Sequence, residues 1–431
     1  GTGLADADSH TKVINATFAN NNTDVTGSEY KIHNSVSWNN GTQNLPSDNN
    51  NRKIAGGITN TDIQKGPNFL DPDTTDVYMR DYRIRPSITL LNQGDNSIYE
   101  ALVAHPANEK DLANNARLVD GTIDVGAYEY EAPLQPIVYV KADLTGNHDG
   151  NSWATALDDL QGAVDLAGIY AQSHEGENGY VFVHNNYNDE KEIRISLGNT
   201  KVYGGMNDET SDETSDDTET ENIVNDIIGK RRGVLESNRR STLGSISINA
   251  NSVVDGFEIT GTASVNDGIL STSIADNGVS GRENGMLYNT FVTGDVADVK
   301  AINVTATGST ANAANESTNN ISGAQANSYV TDPLWNYQLA ETSADINAGN
   351  NDPTLECITM AGHNRDLIGN KRVRDNVDNG CFETWDILSN DTITATDKPI
   401  GKSVVYVRRG NELKIEKADD GTLVYNDANA F

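Results

Sequence analysis

Five cationic residues stand close together in a chain that is otherwise acidic. Such side chains bind the carboxylates or sulfates of acidic glycans, and in a polysaccharide lyase a lysine or arginine acts as the base while further cations or calcium neutralise the uronate carboxylate. The other interpretation is a solvated turn whose cations pair with Glu236 or with the acidic run upstream. We predict a substrate-binding site here and predict no catalytic residue. Its members are Lys230, Arg231, Arg232, Arg239 and Arg240.

A second set of charged residues occurs twice, with its spacing almost unchanged. Self-similarity of this kind indicates two related structural units in one chain. Each copy is either a functional site or a set of ion pairs and turn caps that closes the end of a unit, and the second interpretation is the more economical. The first copy contains Asp111, Arg117, Asp124 and Glu129, and the second contains Asp366, Arg372, Asp378 and Glu383.

Other kinds of site are only weakly indicated. A hydrolase on a coiled β fold uses aspartates from neighbouring coils, and Asp255 and Asp267 are present, but the sequence does not say which way they face. The histidines never stand at metal-ligand spacing. No cofactor is predicted, although calcium is possible because carboxylate-rich turns offer oxygen ligands. Aromatic residues on predicted strands are assigned to the core rather than to sugar stacking: Trp38, Tyr187, Tyr203 and Tyr288.

The two cysteines fall inside the second copy of the repeated module. Cys357 and Cys381 have Leu102 and Ala127 at the corresponding positions of the first copy, so the pair was gained or lost together. A disulfide between them would close a loop of about 25 residues and contribute roughly 3 kcal/mol. Two buried free thiols fit the sequence equally well.

Composition favours an all-β protein. Apolar residues make up 36% of the chain and aromatic residues 6%, while Asn, Asp, Ser, Thr and Gly are abundant, as expected of short strands joined by many turns. The formal charge of −32 repels phosphate backbones, so nucleic acid is excluded as a partner. No stretch approaches the roughly 20 apolar residues of a membrane span.

Short alternating segments recur along the chain and end in Asn-rich turns. In the first part they cover residues 13–18, 30–38 and 54–63, and the turns include Asn20, Asn39 and Asn50. Alternation places one face of each strand in a core, and Asn tolerates the left-handed conformation that tight turns require. Recurrence at about 20 residues predicts stacked coils, each of which buries its inner face on its neighbours.

These segments and the repeated module resemble a known family. Residues 13–21, 32–40 and 66–72 are similar to coils of the right-handed parallel β-helix proteins of pectate-lyase type secreted by Bacteroidetes, and residues 82–129 resemble their choice-of-anchor modules. The resemblance implies a pectin-lyase-like fold and an extracellular or bacterial cell-surface location. It also implies that the segment around Ser152 and the following helix, predicted near residues 158–167, cap the open first coil of a unit.

We therefore predict three regions. Residues 1–135 form the C-terminal part of a first right-handed parallel β-helix with its closing module, and residues 136–388 form a second β-helix in tandem. Residues 389–431 form a small antiparallel β-meander, with strands at 403–409, 412–417 and 422–425, or begin a further domain. We expect the chain to belong to a larger multidomain protein.

The expected function is glycan binding or adhesion at the cell surface, without catalysis. The first alternative is a polysaccharide lyase or glycoside hydrolase that acts on an acidic polysaccharide. The second alternative is a structural spacer within a larger surface protein. A fold alone does not choose among them.

Overall fold

A computed structural model of the chain describes residues 1–47, 50–62, 65–142, 149–206, 220–229, 240–311, 343–352, 365–367, 376–383, 415–417 and 423–425, and residues 313, 317, 320, 323, 337, 339 and 372. The described part is mostly β-structure and contains one large parallel sheet. It divides into two compact units, 1–135 with 161–173, and 136–160 with 174–431. The division after residue 135 falls in the proline-bracketed segment 133–136.

The first unit is built from short strands. They are β1 (Thr2–Ala7), β2 (Lys12–Ile14), β3 (Thr17–Ala19), β4 (Thr23–Gly27), β5 (Lys31–His33), β6 (Val36–Trp38), β7 (Arg52–Lys53), β8 (Phe69–Asp71) and β9 (Asp81–Ile84), followed by helix α1 (Asn96–Leu102). Strands β1 and β4, β2 and β5, and β3, β6 and β7 pair in parallel. Strands β8 and β9 pair antiparallel.

Asparagine side chains join successive segments of the first unit. Asn20 and Asn39 both have a positive φ, 57° and 52°, as predicted for these turns. The amide of Asn39 donates to Asn20 Oδ1 over 2.6 Å, across 19 residues of sequence. Asn40 donates to the Phe18 carbonyl oxygen in the same way. Asn therefore supplies both the left-handed turn conformation and a hydrogen bond between neighbouring segments.

The second unit holds the large parallel sheet. Its strands are β10 (Ile137–Val140), β11 (Gly179–His184), β12 (Asn188–Ile195), β13 (Thr200–Met206), β14 (Thr242–Asp255), β15 (Glu258–Ile259), β16 (Ala263–Ser271), β17 (Ile274–Ala275), β18 (Val279–Tyr288), β19 (Phe291–Val292), β20 (Val296–Ala297), β21 (Lys300–Ile302) and β22 (Thr305–Ala306). The pairs among these strands are parallel, so each partner lies one segment further along the chain. Ile246 faces Ala263, which faces Val279, which faces Val296.

An aromatic cluster fills one end of the second unit. Tyr139, Phe182 and Tyr203 are register partners on β10, β11 and β13, and the last two rings stack 5.8 Å apart. Helix α3 (Thr220–Gly229) places Val224, Ile227 and Ile228 against this cluster. The four aromatic residues assigned to the core from the sequence are all buried: Trp38, Tyr187, Tyr203 and Tyr288.

Several local predictions need correction. Residues 54–62 form turns rather than a strand, because β7 is only two residues long and Gly57, with φ of 86°, turns the chain soon afterwards. Helices α1 and α3 were not predicted, and α3 begins inside the polar run that continues to residue 222.

Helix α2 (Leu160–Ser173) is present near its predicted place but begins after the two aspartates expected in its first turn. Its residues 161–173 group with the first unit and Leu160 groups with the second, so the capping role remains a prediction.

The C-terminal region contains an antiparallel pair, as predicted for two of its three strands. Strands β23 (Ile415–Lys417) and β24 (Leu423–Tyr425) pair with Ile415 opposite Tyr425. The first predicted strand, residues 403–409, lies outside the described residues.

Candidate functional site

Arg240 is the one member of the predicted cationic site that the structure describes. It is buried, and its Nη1 lies 3.2 Å from Glu258 Oε2, so its guanidinium points into the protein instead of toward solvent. The guanidinium also lies over the ring of Phe382 at 5.5 Å. The remaining residues, Lys230, Arg231, Arg232 and Arg239, lie outside the described residues, and their role in substrate binding stays a prediction.

Two carboxyl groups accompany Arg240 in this part of the second unit. Glu258 lies on β15, and Asp276 follows β17, which pairs with β15. The Tyr337 hydroxyl donates to Asp276 Oδ1 over 3.0 Å. Burial raises the pKa of Glu258 and of Asp276, although Arg240 acts in the opposite direction on both. Partly buried carboxyls with raised pKa values are typical of general acids, and also occur in structural ion-pair networks.

The first repeated module is a closed network of buried polar groups. Asp111 accepts from the Ala113, Asn115 and Glu129 backbone N–H groups. Asp124 accepts from the backbone N–H groups of Asn92 and Tyr130 over 2.6 and 2.7 Å.

The same module holds a buried ion pair. Arg117 Nη1 lies 3.6 Å from Glu129 Oε2, and Arg117 Nη2 donates to the Gly126 carbonyl oxygen. Both side chains are almost completely buried. These charges hold turns of the chain together.

The second module repeats several contacts of this network. Asp366 accepts from the Glu383 backbone N–H over 3.0 Å, and Asp378 accepts from the Asn347 backbone N–H over 2.6 Å. Arg372 Nη1 donates to Glu383 Oε1 over 2.8 Å. The charged residues of both modules are thus ion pairs and turn caps, as predicted. Each of their carboxylates accepts at least one internal hydrogen bond, although Glu129 Oε2 accepts none from the described residues.

A glycine in each module explains why the chain packs so closely there. Gly94 and Gly349 donate from their backbone nitrogens to the carbonyl oxygens of Ile123 and Val377, over 2.8 Å in both cases. A Cβ at Gly94 would lie 2.5 Å from Ile123, and one at Gly349 would lie 2.6 Å from Val377. Neither position has room for a side chain.

The modules differ at one group of buried positions. In the first, Leu90 and Val125 are fully buried and apolar, as is Val36 of β6 beside Gly126. The corresponding residues of the second unit are polar: Asp345, Asn379 and, beside Gly380, Thr305 of β22. The Thr305 and Ser343 hydroxyls donate to the Asp345 carboxylate over 2.5 and 3.0 Å. Burial raises the pKa of Asp345.

Cys381 is a free, buried thiol in the second module, and the disulfide with Cys357 stays a prediction. Cys357 itself lies outside the described residues. Burial raises the pKa of Cys381 to about 12. It packs with Ile274 and Phe291, as a small apolar residue would.

The other residues considered for catalysis or metal binding do not assemble into a site. Asp255 is fully buried and accepts from the Ser271 hydroxyl, whereas Asp267 is partly exposed. Within the described ranges no group of three or more His, Cys, Asp or Glu side chains could hold a metal ion. Calcium binding stays a prediction. In the same ranges no helix is long and apolar enough to cross a membrane.

The solvent-facing side of β14, β16 and β18 carries rows of hydroxyl and amide groups. We call it the polar ladder. Ser247 faces Ser264, which faces Ser280, in the parallel register. Asn266 donates to Asn249 Oδ1 over 2.9 Å, between neighbouring segments. The ladder consists of Ser245, Ser247, Asn249, Thr262, Ser264, Asn266 and Ser280.

The polar ladder is uncharged and partly satisfied from within. Asn249, Thr262 and Ser280 are exposed, and the other members are partly exposed. The Ser245 hydroxyl accepts from the Thr262 backbone N–H over 3.0 Å, which fixes its position. The sequence signal was the alternation of Ser or Asn with apolar residues in 245–249 and 263–266. The first of these runs predicted a strand, and neither run indicated how the outer positions line up.

Comparisons with protein-family models, with curated proteins and with solved structures found no match for this chain.

Proposed function

We propose that the chain is an extracellular parallel β-helix protein that binds glycan polymers without cleaving them. Parallel pairing between segments about one coil apart supports the β-helix: Thr262 and Ser245, Asn266 and Asn249, and Asn277 and Thr260 are hydrogen-bonded at a separation of 17 residues. The hydrogen-bond networks of the two repeated modules are consistent with structures that end a stack of coils. The acidic composition fits a solvated surface protein.

The polar ladder is the observation that carries the binding function. Hydroxyl and amide groups both donate and accept hydrogen bonds, as sugar hydroxyls do. Strands in a sheet lie about 4.8 Å apart, so the ladder repeats the same groups at a fixed interval along the stack. Each contact is weak because it replaces a bond to water. A polymer that engages several rungs at once gains from their effective concentration.

The test is binding of the full chain to a panel of polysaccharides, with and without calcium. We expect at least one polymer to bind, and the variant Asn249→Ala/Thr262→Ala/Ser280→Ala to bind it about tenfold more weakly, equivalent to about 1.4 kcal/mol. Asn186→Ala is the matched control, because Asn186 is an exposed amide of the same unit outside the ladder. Absence of binding to every polymer, or unchanged binding by the triple variant, would exclude this function.

A second candidate function is supported by the carboxyls near Arg240. In a glycoside hydrolase one protonated carboxyl donates to the leaving oxygen while a second, ionised carboxylate activates water or attacks the sugar. Glu258 lies on β15 and Asp276 directly follows its partner strand β17, and burial raises the pKa of both carboxyls.

Hydrolysis has a direct test. Release of reducing ends from a bound polysaccharide, lost in Glu258→Gln and in Asp276→Asn, would favour the hydrolase. Intact polymer after prolonged incubation would leave glycan binding as the function.

A further inference from the structure

The first unit contains a pocket whose charge is opposite to that of the chain. It has a volume of about 400 Å³ and is formed by β7, the turns that follow it and the segment around Thr89. Arg52, Lys53 and Lys65 line it, and its described lining includes no carboxylate. The chain as a whole has 63 acidic residues against 31 basic ones. Three cations and no carboxylate in the described lining are therefore a marked local reversal.

Arg52 is fixed in the pocket wall by neutral groups. Its Nε donates to the Thr89 carbonyl oxygen and its Nη2 donates to Gln93 Oε1, each over 3.2 Å. No carboxylate in the described part of the chain forms an ion pair with it. Burial lowers the pKa of Arg52, with no acid acting in the opposite direction. The described hydrogen-bond partners of this half-buried guanidinium are neutral and leave its charge uncompensated, so an external anion would stabilise it.

The two lysines add charge at the mouth of the pocket. Lys53 and Lys65 are exposed, and neither forms an ion pair with any described residue. Asp62 binds the Lys65 backbone N–H over 3.0 Å and fixes the turn that carries this lysine. Exposed lysines are mobile point charges that can follow a ligand's anionic group.

The remaining lining suits a sugar ring. Ile54, Ala55 and Ile58 supply apolar surface, and Ser47, Asn51 and Thr89 supply polar atoms. Pockets for small ligands typically have volumes of roughly 300–1,000 Å³, with apolar walls and a few placed polar groups. Apolar patches contact the C–H faces of a ring, while hydroxyls meet the polar groups.

We propose that this pocket binds an anionic sugar residue, a uronate or a sulfated sugar, of an acidic glycan. This inference rests on the proposed glycan-binding function and specifies the class of glycan. Arg52 is the fixed donor to the carboxylate or sulfate, and Lys53 and Lys65 neutralise the charge from the rim. The polar ladder belongs to the second unit, so loss of the pocket leaves the ladder unchanged.

The test compares three oligosaccharide probes of equal length by titration calorimetry on the full chain: an oligogalacturonate, a heparin-derived sulfated oligosaccharide and neutral malto-oligosaccharide. We expect one anionic probe to bind with an affinity that falls at high salt, and the neutral probe not to bind the pocket. Carboxylate or sulfate chemistry is identified by which anionic probe binds.

The variants distinguish a loss of binding in the pocket from a loss of folding and from binding at the polar ladder. Lys53→Gln/Lys65→Gln alters only exposed side chains and should weaken binding of the anionic probe about tenfold, equivalent to about 1.4 kcal/mol. Arg52→Gln should weaken it further, and its melting curve reports any loss of folding. Lys31→Gln, an exposed lysine of β5 outside the pocket, is the matched control.

Equal binding by the double lysine variant and the native chain would overturn the pocket proposal. If polysaccharides bind the native chain through the ladder while no anionic probe engages the pocket, the pocket proposal fails and the glycan-binding function stands. If no glycan of either kind binds, both fail.

Discussion

Arg372 and Glu383 form a buried ion pair, with 2.8 Å between Nη1 and Oε1, at the position that Arg117 and Glu129 occupy in the first module at 3.6 Å. In each module the glutamate also accepts from the backbone N–H of an aspartate, Asp378 or Asp124. The same turn is therefore built twice from the same charges. This equivalence indicates that the repeated charged residues stabilise the fold.

Removing one partner of the ion pair should destabilise the second unit strongly. Arg372→Met leaves the Glu383 carboxylate buried without its cation, and we expect a loss of about 3–5 kcal/mol in the free energy of unfolding. Arg372→Met/Glu383→Leu should recover much of this loss because no lone charge remains buried. Urea unfolding measures both variants. Arg83→Ala, which breaks the exposed pair with Asp81, should cost at most about 1 kcal/mol. A cost of at most about 1 kcal/mol for Arg372→Met would contradict the structural role of the Arg372–Glu383 ion pair.

Replacing Asn303 by Ala should cost more stability than the positive φ at this position alone explains, because the side chain also forms hydrogen bonds. Asn303 has a φ of 55° and exchanges two hydrogen bonds with the Asn350 backbone, at 2.8 and 3.1 Å. Asn303→Ala loses both bonds and strains the turn, and we expect a cost of about 2–4 kcal/mol. Asn199→Ala is the control because Asn199 is exposed, has a φ of 59° and forms no side-chain hydrogen bond with the described residues. Equal losses in thermal unfolding would assign the effect to the backbone.

Asp345 should make the second unit less stable as pH rises. Its folded-state pKa lies above the ordinary value of 3.8 because the carboxyl is buried. The folded state therefore favours the protonated form, so this contribution is fully present below the unfolded pKa and is lost as pH rises through the folded one.

Asparagine at position 345 should remove this dependence. The stability of Asp345→Asn relative to the native chain should increase with pH by up to about 1.4 kcal/mol per unit within that window, and then level off. Urea unfolding at several pH values measures the difference. Asp298→Asn, at an exposed position, controls for the loss of one negative charge. A stability difference that does not change with pH would contradict the prediction.

The Cys381 thiol should be inert in the folded protein. Its burial excludes reagents, and its pKa of about 12 leaves almost no thiolate at neutral pH. In Cys357→Ser, which isolates this thiol, a disulfide-exchange reagent should react only after the chain is unfolded. The native chain, unfolded in denaturant without reductant, should contain two free thiols, those of Cys357 and Cys381. Rapid reaction of the folded variant, or no free thiol in the unfolded native chain, would show the prediction to be wrong.

The sequence revealed features that depend on local pattern. Alternation predicted strands such as β12 and β14, and the positive φ of Asn20 and Asn39 follows from the tolerance of asparagine for this conformation. The repeated charges predicted the closing networks because identical spacing requires similar geometry. Helix α3 also had a signal, with apolar residues at 223, 224, 227 and 228, but the polar run before it concealed the start of the helix.

Features that depend on contacts between residues far apart in the chain could not be predicted from the sequence. Arg240 is buried because Glu258, 18 residues later, faces it across paired segments. Arg52 meets Thr89 and Gln93 across 37 and 41 residues. Side-chain direction at such positions is set by the register of coils, which a single sequence does not specify. The cationic site was therefore predicted from clustering along the chain, whereas the described cationic pocket brings Lys65 to Arg52 and Lys53 from 12 residues further along the chain.

The central claim is that the chain binds glycans without cleaving them. The most direct measurement incubates the full chain with the polysaccharide that it binds most tightly, and follows bound fraction and polymer length in the same sample. We predict saturable binding with an unchanged length distribution over a day. Shortened polymer that carries new reducing ends or unsaturated ends, or the failure of every polysaccharide to bind, would contradict the account.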